Sequence, residues 1–448
     1  MIKGYERLRK QNKNKLRIPK KAQDIVEADT VYKDGIFKLG NRYSMTYRFK
    51  DVNYSIASKD EKINIFLDYS ELLNSLDSST MSKITINNRK INIKDFKSEI
   101  LIPYQNDGLN KYREEYNQML LDKVSGSEDI LQEKYLTVTI FKNNYEEAKN
   151  FFNRTTVELS SHFAKLGSSC ESMDAIERLK VLHDFFRSGE EEFINFDLNN
   201  SMKKGHSFKD AICPKAPIFE HKYFKIGDKF GRVLYLSDYA RYIKDSFVSE
   251  VCSLNKNLMF SIDIVTVQTD EAVKEVENRL LGVETNITNW QRKQNNNNNF
   301  SAVIPYDMEQ QRHEAKEFLD DLTVRDQRMM FGTITLVHLA DSLEELDTDT
   351  ETLMAVARKY MCELTTLAFA SRQLDGLNTA LPLGINKLNI VRTLLTESAA
   401  VFIPFRAQDI MDKKGIWFGQ HAITNNLILC NKENLLNPNA FQLGVPGS

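Results

Sequence analysis

One pattern constrains the fold of this chain more than any other. A run alternating apolar and polar residues is followed by a helix start signal and then by an apolar stripe at helical spacing. In "YLTVTIF", residues 135–141, Leu136, Val138 and Ile140 share one face and Thr137 and Thr139 the other, the period of two of a half-buried strand. Asn144 and Glu147 follow at capping-box spacing. Behind them Ala148, Phe151, Phe152, Leu159, Phe163 and Leu166 trace one side of a helix. The same order recurs in "MFSIDIVTV", with Phe260, Ile262 and Ile264 and then Val273, Val276, Leu280 and Val283. It recurs again in "MMFGTITLVHLA", followed by Ser342 with Glu345 and by Leu346, Leu353, Val356 and Tyr360. "CELTTLAFA", residues 362–370, closes the series as a strand. The alternation predicts an α+β fold of mixed sheets with helices packed on one side, of which ferredoxin-like units are one form. No close sequence repeat accompanies it.

Upstream, Val31 to Tyr54 is rich in aromatic and β-branched residues broken at Asp34-Gly35 and Gly40-Asn41, which predicts a small antiparallel sheet. "KITINNRKINI" reads as a second strand pair turning at Asn87-Asn88. Five consecutive asparagines, 295–299, favour an exposed loop ending at Pro305, with a new helix near Asp307. Four segments result: a basic arm over 1–30, α+β subdomains over 31–200 and 201–410, and a distinct C-terminal piece over 411–448.

Composition excludes more than it selects. A formal net charge of -2 gives no overall attraction to nucleic acid. The five cysteines (Cys170, Cys213, Cys252, Cys362, Cys430) are odd in number and contain no C-x-x-C pair, which fits a reducing cytosol rather than a disulfide framework. No apolar run reaches the roughly 18 residues of a membrane span. Residues 1–21 hold nine Lys or Arg against one acid, Glu6. A solvated tail, an anchor to the anionic inner leaflet and phosphate contact with nucleic acid all fit that stretch.

Catalytic signals are sparse. None of the seven histidines makes H-E-x-x-H, and no serine sits in G-x-S-x-G. His338 shares a strand face with Ile334 and Leu336 and reads as a hydrogen-bonded core histidine. His206 and Cys213 could in principle pair as a thiol dyad, but no third, orienting group is identifiable, so the pair carries little weight. Acidic clusters stand at Glu190-Glu191-Glu192, at Asp320-Asp321 and from Asp341 to Glu351. The last lies at a helix start, where negative charge opposes the positive end of the dipole.

The C-terminal piece is more specific. "GIWFGQHAITNNLIL" reads as two short strands, Ile416–Phe418 and Ile423–Leu429, turning at Gly419-Gln420. A turn at Asn437-Pro438-Asn439 then leads through an apolar strand, Ala440 to Leu443, into Gly444, Val445, Pro446, Gly447 and Ser448. Those five residues supply the first glycine and four spacers of a P-loop, whose N–H groups curl round phosphate.

This run resembles the entry into the motor domain of the ATPases of conjugative type IV secretion, the TraE/TrbE/CagE-like family. The stretches "RKQNNNNNFSAVIPYD" and "LTVRDQRMMFGTITLVHLAD" are similar too, and the resemblance covers roughly residues 220–448. It implies the N-terminal docking and assembly region of a cytoplasmic, membrane-peripheral, hexameric motor that energises channel assembly and DNA transfer. It also implies contact with membrane components of the transfer channel, and ATP and Mg²⁺ as cofactors of the full-length motor. The basic arm would then lie near the inner leaflet, and direct DNA contact stays open. Of the nucleotide site only Gly444 to Ser448 can be carried over. The lysine, the Mg²⁺-binding Ser/Thr and the Walker B acid of the family pattern are missing, so this chain is expected to bind nucleotide poorly and hydrolyse none. A non-enzymatic interaction protein, or part of another P-loop NTPase, is the alternative.

Overall fold

The computed structural model describes residue 19 and residues 21–90, 93–126, 130–188, 205, 207–240, 242–297, 299, 303–421, 424, 426–435, 437–439 and 441. Two copies of one connectivity account for most of it. In the first, a short hairpin of β1 (Thr30–Val31) and β2 (Phe37–Leu39) leads into β3 (Arg42–Phe49). Then follow α1 (Lys59–Ser75), β4 (Thr80–Lys90), α2 (Ile93–Glu99), α3 (Asn110–Gly126) and β5 (Ile130–Phe141). The unit ends with α4 (Tyr145–Lys165), β6 (Cys170–Ser172) and α5 (Ala175–Phe186). Its strands lie in the order β6-β3-β5-β4, a split β-α-β arrangement.

After α6 (Lys209–Ile212) the plan repeats. A hairpin of β7 (Ile218–Phe219) and β8 (Phe224–Ile226) leads into β9 (Lys229–Asp238). There follow α7 (Ser246–Cys252), β10 (Asn257–Thr266), α8 (Thr269–Asn296), α9 (Tyr306–Thr323), β11 (Met329–Ala340), α10 (Leu343–Lys359), β12 (Glu363–Thr366) and α11 (Ala370–Ala380). The strand order is again the same, β12-β9-β11-β10. The units join through β4 and β10, whose ladder runs from Ser82–Ile264 to Asn88–Leu258. At its centre Thr85 faces Ser261, their hydroxyls 2.9 Å apart, so an approximate two-fold axis passes between them. With β13 (Arg392–Leu395) added to β11, the result is one thirteen-stranded sheet. The chain continues through α12 (Thr396–Ala400) to a separate two-stranded sheet, β14 (Ile416–Gln420) with β15 (Leu427–Cys430).

The α+β class follows the sequence pattern, with corrections. The large sheet is antiparallel, not mixed. Helices α8 and α9 return the chain to the end of the sheet it left, so β11 runs back beside β10. The strand that a single helix does return in parallel, β12, is separated from β11 by β9. Nor are helices confined to one side. On one face Leu136, Val138, Phe260, Ile262 and Leu336 pack against α1, α4, α7 and α10. On the other, Tyr135, Val233, Met259 and Val337 meet α5, α11 and the segment 381–390.

That second face explains the alternating threonines. Segment 380–391 crosses it with little regular structure, so its buried carbonyls need donors. Thr139 Oγ1 donates to Gly384 O at 2.8 Å, Ser261 Oγ to Ala380 O at 2.6 Å and Thr333 Oγ1 to Ile390 O at 2.6 Å. The approach is close enough to require glycine at 384. Its φ is +81°, and a Cβ there would lie 2.1 Å from Thr139 Oγ1.

Local signals fare well at the helix starts. Asn144 Oδ1 accepts from the Glu147 N–H at 2.9 Å, and Ser342 Oγ from the Glu345 N–H at 3.1 Å. The strands and turns expected over 31–54 form as β1 to β3. Elsewhere tertiary partners override local signals. Asn87-Asn88 does not turn, because β4 is one strand flanked on both sides by β5 and β10. Asn88 Nδ2 donates to Cys252 O at 2.7 Å and its Oδ1 accepts from Gln132 Nε2 at 2.9 Å. Helix α8 continues through Asn296, two residues into the asparagine run, and the last strand is limited to Glu363–Thr366.

Candidate functional site

Residues Gly444, Val445, Pro446, Gly447 and Ser448 lie outside the described residues, as does most of the basic arm. What is described is their approach. The β14–β15 hairpin forms where two short strands were expected, but Gly419 sits within β14 at a register shift rather than at the turn. Ile423 lies outside the described residues, and the second strand is Leu427–Cys430. Leu427 and Leu429 pack against Phe96 of α2, Ile100 just after it, and Leu120 and Val124 of α3. The Trp417 N–H donates to Tyr116 Oη at 2.9 Å, and Lys123 Nζ stands 4.6 Å from the Trp417 ring centroid. On the outer face Ile416 and Phe418 stay 62% and 56% exposed. Beyond it the Asn439 N–H donates to Asn437 Oδ1 at 3.0 Å, the local bond of an Asn-Pro-Asn turn. Of the strand expected next, only Phe441 is described, and it is exposed.

Between this hairpin and the large sheet lies a cleft of about 830 Å³. The end of β3, the start of β5, the turn after α7 and residues 406–412 wall it. Its carboxylates are engaged from within. Asp51 accepts from Lys134 Nζ and from the Arg406 N–H, and Asp409 from Thr424 Oγ1 at 2.6 Å and Asn426 Nδ2 at 2.8 Å. Asp412 accepts from the Asn431 N–H at 2.9 Å. Burial alone would raise Glu133, but Arg89, 2.9 Å away, and Arg48 hold it below the usual carboxylate range. Burial pushes the Cys252 thiol up to about 12, so it is protonated and a poor nucleophile. Lys50 and Arg48 are exposed at the mouth, Arg48 lying 3.2 Å from Glu177.

The other sequence candidates resolve into structure. His338 is fully buried, with Nε2 3.1 Å from Thr350 Oγ1, and burial, helped by Arg232 and Lys256, pulls it down to about 3. It is a neutral core histidine. Cys213 Sγ contacts Asp210 O at 3.9 Å, while its supposed partner His206 lies outside the described residues, as do Glu190, Glu191 and Glu192. Asp321 pairs with Arg325 at 3.0 Å. The acidic run of α10 meets bases from elsewhere: Asp347 pairs with Arg232 at 2.7 Å, Asp349 with Lys256 at 2.8 Å, and Asp341 with Lys229. Among the described residues no group of three or more His, Cys, Asp or Glu is placed to hold a metal ion.

Sequence reasoning missed a buried ion pair. Lys83 Nζ lies 3.2 Å from Asp263 Oδ1, across the β4–β10 seam. Lys83 also donates to Ile385 O at 2.9 Å and to Thr379 O. Burial lifts Asp263 to about 6 against the pull of Lys83. Both residues occupy the polar positions of alternating strands, which read as a solvent face.

Compared with protein-family models and with curated protein sequences, the chain matches neither.

Proposed function

We propose that this chain is the docking and assembly region of a conjugation-type ATPase of the TraE/TrbE/CagE-like kind. In this reading the α+β body contacts membrane components of a transfer channel and neighbouring subunits, while ATP hydrolysis belongs to the full-length motor. The observation that supports it is the β14–β15 hairpin. It stands apart from the large sheet, holds to the body through α2 and α3, and leaves Ile416 and Phe418 uncovered just before the run toward Gly444. An isolated two-stranded sheet is marginal by itself, so an uncovered apolar face on one suits a further packing layer such as a motor domain. Gly444 to Ser448 would open the phosphate loop there, with ATP and Mg²⁺ bound by residues completing it. Residues 1–21 would face the inner leaflet, and among the described residues no helix is long and apolar enough to cross a membrane.

Steady-state phosphate release tests the reading. The chain alone should show no ATP turnover, and a version extended through a whole motor domain should hydrolyse ATP as an oligomer. An inactive, properly assembled extended form would favour the rival reading, a non-enzymatic interaction protein.

A further inference from the structure

The two units differ at one equivalent edge. In the second, the first residues of β11 run beyond its ladder with β9, which begins at Thr335. There β13 fills the edge, antiparallel, pairing Met329 with Leu395 and Gly332 with Arg392. In the first, the corresponding residues of β5 are Ile130–Glu133. They too run beyond the ladder with β3, which stops at Phe49–Lys134, and β4 covers only their other side. No described strand occupies the remaining edge. The chain instead bends away after Phe49, the Lys50 N–H donating to Ser169 O at 3.0 Å, and the cleft of about 830 Å³ opens against residues 406–412.

We propose that the Ile130–Glu133 edge of β5 is a docking slot for an extended, acidic peptide segment of a partner protein, added antiparallel as β13 is added to β11. An open strand edge is a template for main-chain pairing, and alternate side chains of the added strand then set specificity. The slot has the parts for this. Leu254, Ile410 and Met411 line it, suited to apolar side chains. Its own carboxylates already accept protein donors and Arg48 pairs with Glu177, which leaves the exposed Lys50 at the mouth to set the sign of charge it favours. Asn426 Nδ2, donating to Ile130 O at 3.2 Å, closes one end. The recess also keeps the edge from indiscriminate pairing with flat strands. The inference is independent of the family resemblance, since it rests on the comparison of two edges within one sheet.

Fluorescence anisotropy and amide hydrogen exchange on the full chain test it, using short labelled peptides that alternate valine with glutamate or valine with lysine. The glutamate peptide should bind saturably and slow exchange within 130–133, and the lysine peptide should do neither. Lys50→Glu, a surface change, should weaken the glutamate peptide roughly tenfold, the scale of a like-charge contact at an interface. The proposal fails if both peptides bind alike, if binding leaves exchange at 130–133 unchanged, or if the glutamate peptide does not bind by about 1 mM.

Discussion

At the scale of single residues the Lys83–Asp263 pair is the sharpest test of how the seam is held. Removing one partner strands the other inside the protein, so Lys83→Met should cost about 3–5 kcal/mol in urea unfolding, and adding Asp263→Leu should recover only part of it, because Thr379 O and Ile385 O stay without the Lys83 donor. The pair also carries a pH signature. Asp263 titrates near 6 in the fold, above the value of about 3.9 for an unfolded chain. The folded state therefore binds that proton more tightly, and the stability it contributes is full below pH about 4 and lost as pH rises through about 6. Measured against Asp263→Asn across that window, the parent protein should lose stability with rising pH; a flat difference would contradict the assignment. Neither residue could be singled out from sequence. Lys83 and Asp263 stand where alternation predicts solvent, yet both are buried, with Lys83 donating to Thr379 at the end of α11 and to Ile385 beyond it, some hundred residues past β10 in the chain.

Among elements, the C-terminal hairpin depends on its neighbours most. Its docking rests on Leu427 and Leu429 against α2 and α3, while the large sheet has its own cores. Leu429→Ala should cost about 2–5 kcal/mol of that docking. Hydrogen exchange should then quicken across 410–430 and stay unchanged in β10 and β11; a loss spread evenly over the chain would contradict this division. Helices elsewhere in the chain were legible wherever capping chemistry is local, as Asn144 and Ser342 show. Asn87-Asn88 was misread for the opposite reason. A turn-forming pair tells only what the backbone allows, and strands on both sides of β4 decided otherwise.

For the molecule as a whole, the β4–β10 ladder makes one sheet of two units, and the segment 380–391 touches both across their back face. Amides of β5 and β11 should therefore exchange with a common free energy of global unfolding, and two well-separated values would show that the units open independently. The α+β class, the helix starts at Asn144 and Ser342 and the hairpin over 31–49 were legible without a fold, because period and capping are written in neighbouring residues. The sequence by itself could not show that one connectivity occurs twice, since the copies share strand order rather than residues. It could not show which edge of each copy stays open, because β13 reaches β11 from more than fifty residues away and no described strand pairs with the matching edge of β5. Nor could it distinguish a threonine face turned to water from one turned to buried carbonyls: both alternate with period two, and only the path of a distant segment decides which is dry.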